Sequence, residues 1–374
     1  MSAGGIMGGR IPDLQVLPTE VLHLILANLP SWEIKDFSLV SRRLRDVCLP
    51  FLFHRVRFKF SEAGLDGLQQ LKHSPVHLHV RSLVYTVPEL IRPDILSFEV
   101  FKSEMLTPES YVEEAKELYD CGYPVDKSPP YMVIYETLRT ICETQQDIIE
   151  SHKDTDVLSS VLAALPRLTE IELDFWQSID EPEWVESYLP LGMTAKEVSN
   201  THHLQTVTKA LQRRSKSPTS PITIELSSLD LPYYSPCELP DFPSLSGALE
   251  LLLEHCTTLR VTGSSAPLEL LAHSTIKFRQ LILGHVTISY TAWREFLETN
   301  RQTIVLIGFY NTHLLKGWGE IQELSPQLLP AVLRGFSFKT QKSTKHWRTP
   351  YWEAGWIIQL GSRPPLPSGT RGGH

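Results

Sequence analysis

The sequence predicts an α/β chain in which three short helices at the N-terminus precede an irregular solenoid of alternating helices and short strands. Three observations predict this. Within the first fifty residues, apolar side chains recur at helical spacing in segments bounded by proline or serine. From about residue 156, helix-like stretches are repeatedly followed by a polar or proline break and a short β-rich run. The last three of these runs begin at intervals of roughly 20–25 residues, the spacing of a short structural repeat.

Residues 17–29, LPTEVLHLILANL, place apolar groups at 17, 21, 22, 25, 26 and 29, which is one helical stripe. Pro18 suits a first turn, where a missing N–H costs nothing, and Pro30 ends the segment. Ser31 can cap a second short helix, with Glu33 in its favourable first turn. Residues 38–49 put Val40, Leu44, Val47 and Cys48 on one stripe, and Pro50 closes a third helix. Helical periodicity returns at 61–72 and, more strongly, at 131–150 through Ile134, Leu138, Ile141, Ile148 and Ile149. Thereafter 156–165 leads to LTEIELDF at 168–175, 203–213 to ITIELSSLDL at 222–231, and 245–255 to TLRVTG at 258–263. A short stretch at 267–273 leads to FRQLILGHVTI at 278–288, and 290–299 leads to TIVLIGFY at 303–310.

The late spacings fall in the leucine-rich-repeat range, whereas the earlier ones, about 54 and 36 residues, are too long without insertions. The pattern is therefore a degenerate repeat, best seen where Trp293 and Trp318 follow their strands at similar offsets. The expected organisation is a three-helix element at 12–60, a mostly helical connection at 61–155, a leucine-rich-repeat-like region at 156–360 and a disordered tail at 361–374. Loops are expected at 102–130, 176–202, 214–221 and 231–244.

Composition narrows the class. The 374 residues are 42% hydrophobic and 21% charged, with a mean hydropathy of −0.12, as in ordinary globular chains. Two or three units are expected at this length. Prolines number 27 and glycines 20, which favours stiff loops over flexible linkers. No uncharged apolar run approaches the roughly 18 residues a membrane helix needs, and no continuous apolar stretch precedes Asp13, so neither a membrane span nor a signal peptide is expected. Five widely spaced cysteines without a CxxC pair argue against a disulfide framework or a cysteine zinc site. A reducing compartment, cytoplasm and/or nucleus, fits.

The formal charge of −8 hides a gradient. Residues 1–60 hold 8 basic and 5 acidic side chains, residues 94–190 hold 6 and 22, and residues 191–374 hold 18 and 13. The acidic middle would repel a nucleic-acid backbone and could attract a basic partner, or it is simply a solvated face.

Residues 17–58, LPTEVLHLILANLPSWEIKDFSLVSRRLRDVCLPFLFHRVRF, resemble an F-box: Leu-Pro-x-Glu, an apolar helix, a break, a short helix with an apolar anchor at Ile34, Ser-Leu-Val-Ser-Arg-Arg, then Pro-x-Leu-Phe. Ser31-Trp32 stand where the family more often has an acid or proline, and Leu44 stands at a position often aromatic. The resemblance implies binding of a Skp-type adaptor and, through it, a cullin. It implies that Leu17, Pro18, Leu22, Ile25, Leu26, Leu29 and Ile34 contribute to the adaptor face, with Val40, Leu44 and Val47 divided between interface and internal core. About 45 residues cannot bury enough apolar surface to be comfortably stable alone, which agrees with a binding element. Residues 31–60 carry seven basic and three acidic groups, as a helix-turn-helix could. Their third helix, however, lacks the Asn/Gln set that reads base edges, so no nucleic-acid partner is expected. HVRSLVY at 79–85 and LPRLTEIELDF at 165–175 give the remainder the look of fungal F-box proteins. The function implied is a substrate receptor of an SCF-type ubiquitin ligase; the alternative is an F-box scaffold that binds the adaptor without directing degradation.

No catalytic constellation competes with this. Gly263-Ser264-Ser265-Ala266-Pro267 fails as a nucleophile elbow because proline occupies the fifth position, and no Walker A loop exists. Gly317-Trp318-Gly319 lacks the third glycine of a dinucleotide fingerprint. His73, His77 and His79 have no acidic or cysteine ligands nearby, His202-His203 lie in a polar stretch read as surface, and Glu181 and Glu183 sit in a segment acidic throughout. No enzyme activity, metal or cofactor is expected. Outside the first sixty residues, the aromatic and basic stretch at 335–356 is either a partner patch or the cap of the solenoid.

Overall fold

The structure is a computed structural model that describes residues 14–120, 129–175, 192–194, 196–214, 221–231, 242–316, 320–324, 337–343 and 355–361. The predicted tail beyond 361, Glu181, Glu183, Trp318 and most of 335–356 lie outside these residues.

The leucine spacing of the first segment builds helices α1 (Thr19–Leu26), α2 (Ser31–Val40) and α3 (Arg42–Leu52). The third helix starts later than its stripe predicted. Ser41 is extended, and its Oγ accepts a hydrogen bond from the Leu44 N–H at 3.2 Å, so residues 38–40 finish α2. Pro50 does not close α3 but lies inside its last turn. Leu22, Leu26, Ile34, Leu44, Val47 and Cys48 form a small core of their own.

The chain then enters a single sheet. Strands β1 (Arg55–Lys59), β2 (Ser82–Thr86), β3 (Glu170–Asp174), β4 (Ile222–Ser227), β5 (Cys256–Thr262), β6 (Gln280–Ser289) and β7 (Leu306–Lys316) lie side by side in chain order and all pair in parallel. Strand β8 (Glu320–Glu323) pairs antiparallel with β7. Strand β10 (Gly355–Gly361) also pairs antiparallel with β7 and carries β9 (Ser337–Ser343) at the edge.

Parallel neighbours need crossovers, and helices supply them. These are α4 (Glu62–His73), α5 (Phe98–Val100), α6 (Pro108–Asp120), α7 (Tyr131–Glu150), α8 (Lys153–Ala164), α9 (Lys196–Arg214), α10 (Phe242–Leu253), α11 (Ala266–Leu270) and α12 (Tyr290–Thr299). The five predicted strand runs all become strands, but the sheet also takes in RVRFK at 55–59 and SLVYT at 82–86, which the sequence division left outside it. Their inclusion is a matter of long-range pairing, which local pattern does not encode. Likewise α6 and the start of α9 occupy segments expected to be loops, and His77 and His79 lie in a 3₁₀ turn.

The pleat sorts each strand's side chains onto two faces. Register aligns Val56, Leu83, Ile171, Ile224, Leu259, Leu281 and Ile307 in one row, and Phe58, Tyr85, Leu173, Leu226, Val261, Leu283 and Phe309 in the next. These rows meet the crossover helices in the main core. A separate cluster, including Ile91, Phe101, Ile134, Leu138 and Cys142, holds the long crossover between β2 and β3. Cys48, Cys142 and Cys256 are buried free thiols.

Candidate functional site

Two surfaces offer binding chemistry. The first is the outside of the three-helix unit. Leu22, Leu26, Ile34, Leu44 and Val47, expected at or near an adaptor interface, are at most 8% exposed and pack against one another. They hold the unit together and present no surface. Leu17, Ile25 and Leu29 are half-buried, and only Pro18 and Val40 among the predicted residues are exposed. The exposed apolar groups are mostly ones that the helical stripe passed over: Leu24 at 69%, Trp32 at 65% and Leu39 at 67%, beside Val40 at 66%. Trp32 and Leu39, seven residues apart on α2, share a face nearly opposite Ile34. The signal available in the sequence was that these large apolar residues fall off the core stripe. Arg43 donates to the Leu17 carbonyl at 2.6 Å, fastening α3 to the chain entering α1.

The second surface is the polar face of the sheet. Three rows cross it: Arg55, Ser82, Glu170 and Thr223; Arg57, Val84, Glu172, Glu225 and Arg260; Lys59, Thr86, Asp174, Ser227 and Thr262. Glu170, Glu172, Asp174 and Glu225 are each at most 9% exposed. The carboxylate oxygens of Glu170, Glu172 and Glu225 lie within 4.8 Å of one another. Arginines supply the counter-charge: Arg260 to Glu225 at 2.7 Å and Glu170 at 3.5 Å, Arg55 to Glu172 at 2.5 Å, Arg57 to Asp174 at 3.6 Å. Burial pushes the Arg260 guanidinium down, yet Glu225 and Glu170 outweigh it and raise its pKa. The cluster is an ion-pair ladder that crosses strands. Gly284 leaves room for the Tyr310 ring, which occupies the space a Cβ would need.

One residue beyond the third row the backbone changes hand. Ser228 (φ 59°), Gly263 (φ 80°), His285 (φ 52°) and Asn311 (φ 43°) are left-handed at equivalent positions of β4 to β7. The Ser228 N–H donates to the Thr262 carbonyl at 2.8 Å, and the Asn311 amide meets His285 Nδ1 at 2.7 Å. Beside this row, at the C-terminal ends of β2–β5 and along β6, opens a cleft of about 510 Å³. Glu89, Lys196, Asn200, Ser228, Asp230 and His285 are among its polar lining, with Phe175 an apolar wall.

Helix α9 forms part of that wall, and here the sequence reading is corrected. His203 is fully buried and His202 half-buried, not surface residues. His203 Nε2 lies 3.2 Å from the Pro88 carbonyl, which can only accept, so Nε2 carries the proton. Nδ1 then accepts from the Tyr85 hydroxyl at 2.8 Å. Burial, and next the neighbouring His202, push the His203 pKa down to about 3. Asp154 accepts from Thr206 at 3.1 Å and pairs with His202 at 3.0 Å. Burial alone would raise its carboxyl, but these partners hold it below the ordinary value.

The Glu269 carboxylate accepts the Ser265 hydroxyl at 2.8 Å, so Ser265 faces its own helix and no histidine base. No curated protein matches the chain. Residues 14–59 match the F-box-like family model, so the three-helix unit together with β1 is an F-box-like domain.

Proposed function

We propose that this chain is a non-enzymatic substrate receptor of an SCF-type cullin–RING ubiquitin ligase. F-box domains generally bind Skp-type adaptors. The observation that carries the reading is where exposed apolar groups fall. Seven of the sixteen large hydrophobic side chains that are exposed among the described residues, namely Leu14, Val16, Val21, Leu24, Trp32, Leu39 and Val40, lie between positions 14 and 40. Covering a fully exposed side chain of this size is worth about 1.5–3 kcal/mol, so an adaptor seated here gains substantially. The adaptor face then consists of Leu24, Trp32, Leu39 and Val40 with Pro18 and the exposed parts of Leu17, Ile25 and Leu29. Leu22, Leu26, Ile34, Leu44 and Val47 support it from below.

The remaining chain serves as the client-binding part. Its parallel strands in chain order, with the left-handed row repeated at one register, support the leucine-rich-repeat-like reading of these units. Such a receptor performs no chemistry; it holds the client near the ubiquitin-charged enzyme, and the gain is proximity. Its place of action is cytoplasm and/or nucleus.

Co-expression with a Skp-type adaptor tests this. Wild type should co-purify with the adaptor and, when it is supplied, with a cullin. The double variant Leu24→Asp, Leu39→Asp should stay folded and lose both. A wild type that ignores the adaptor, or a double variant that still holds it, would sink the proposal. Adaptor and cullin binding without any ubiquitinated client would leave the scaffold reading in its place.

A further inference from the structure

We propose that the cleft at the C-terminal ends of β2–β5 binds an extended peptide segment carrying a basic residue, with the Asn200 carboxamide gripping one peptide group. That the segment belongs to a client protein rests on the receptor reading above; the cleft's chemistry does not.

Asn200 is only 5% exposed, yet its carboxamide makes no hydrogen bond among the described residues. Its polar atoms open onto the cleft and not into the core, so a group bound there can pair with them. A carboxamide offers two donors and an acceptor side by side. Its natural complement presents a donor and an acceptor at the same separation, as a peptide C=O and N–H do. A cavity of about 510 Å³ lies in the range of ligand-sized pockets.

The wall beside Asn200 is unusual in its backbone. Ser228, Gly263 and His285 all line the cleft in left-handed conformation. A Cβ on Gly263 would stand 2.9 Å from Ser228 Oγ. Sparsely populated backbone persists only where surrounding structure enforces it, and it collects at binding sites.

Charge sets the preference. Glu89 is ion-paired with Lys196 at 3.6 Å. Asp230 is exposed; its carboxylate accepts from the Leu231 N–H and has no cationic partner among the described residues. Two carboxylates against one ammonium favour a lysine or arginine in the bound segment.

The test uses the full chain in complex with its adaptor, immobilised, and two degenerate nonapeptide libraries. One library has Lys or Arg fixed at the centre, the other Asp or Glu. Wild type should retain the basic library at least tenfold over the acidic one. Asn200→Leu should lower that retention at least tenfold. Asp230→Lys, an exposed change that leaves folding alone, should abolish the basic preference. No retention by wild type, or equal retention by the Asn200 variant in folded form, overturns the proposal. If Asn200→Leu fails to fold, unchanged selection by Asp230→Lys overturns it instead. Should the adaptor not bind, the chain immobilised through a tag is probed with the same libraries. Retention there would leave the cleft standing while the receptor reading falls; adaptor binding without retention does the reverse.

Discussion

Lowering the pH from 7.5 to 5 should cost the sheet about 2 kcal/mol through one side chain, His203. The ring is fully buried, donates to the Pro88 carbonyl and accepts from the Tyr85 hydroxyl, so the folded chain keeps it neutral. Its pKa falls from the ordinary 6.5 to about 3. Above 6.5 neither the folded nor the unfolded chain protonates this ring, and the stability is fully present. As pH falls below 6.5 the unfolded chain takes up a proton that the folded chain refuses, and stability drains until about pH 3. Each unit is worth about 1.4 kcal/mol, so pH 5 lies about 1.5 units into the window and the loss is about 2 kcal/mol. Asp154 does not confuse the measurement. Its carboxyl is depressed from 3.8, so its contribution is present above that value and is lost only at lower pH. The assay is urea unfolding at pH 7.5 and pH 5.0 of wild type and His203→Gln. Glutamine can accept from Tyr85 and donate to Pro88 but does not titrate, so the difference of differences removes the other histidines. Wild type should lose about 2 kcal/mol more than the variant over this interval. Equal losses, or an imidazole resonance of His203 that titrates near 6.5, would refute the reasoning.

Two further substitutions probe the polar side of the sheet. Gly263→Ala should destabilise by about 1–3 kcal/mol, because φ of +80° strains any L side chain and Ser228 Oγ stands 2.9 Å from the new Cβ; the urea midpoint reports it, and an unchanged midpoint contradicts the left-handed row. Arg260→Leu should cost about 3–5 kcal/mol at pH 7, since it leaves Glu170 and Glu225 buried beside each other without their shared cation. Much of that loss should return when Glu225→Gln is added, and a double variant no better than the single one would speak against the ladder.

Several elements were legible from local pattern. The three N-terminal helices follow from leucine spacing and from the prolines and serine that punctuate it, although Ser41 delayed the start of α3 and Pro50 did not end it. Strands β3 to β7 were legible because β-rich runs after helical segments have few other ways to be buried. The F-box likeness was legible because an ordered set of apolar and polar positions survives without any knowledge of packing.

What escaped the sequence depended on partners distant in the chain. Periodicity places Leu22 on the apolar stripe of α1 and Leu24 off it, but only the packing of α2 and α3 against α1 shows that the stripe is internal core and that Leu24 faces outward. RVRFK and SLVYT are short, and only pairing with each other and with β3 makes them part of the sheet. His203 sits in a helix polar by composition, yet that helix is walled in and its polar groups find buried partners in β2 and α8. The ion-pair ladder and the left-handed row exist only once seven strands, separated by up to 84 residues at β2 and β3, share one register. By itself the sequence determined the three N-terminal helices, strands β3 to β7 and which family the first sixty residues resemble, because those are properties of near neighbours. Only the tertiary structure decided which apolar groups remain for a partner and which polar groups converge on the cleft, because exposure and convergence are properties of the assembled chain.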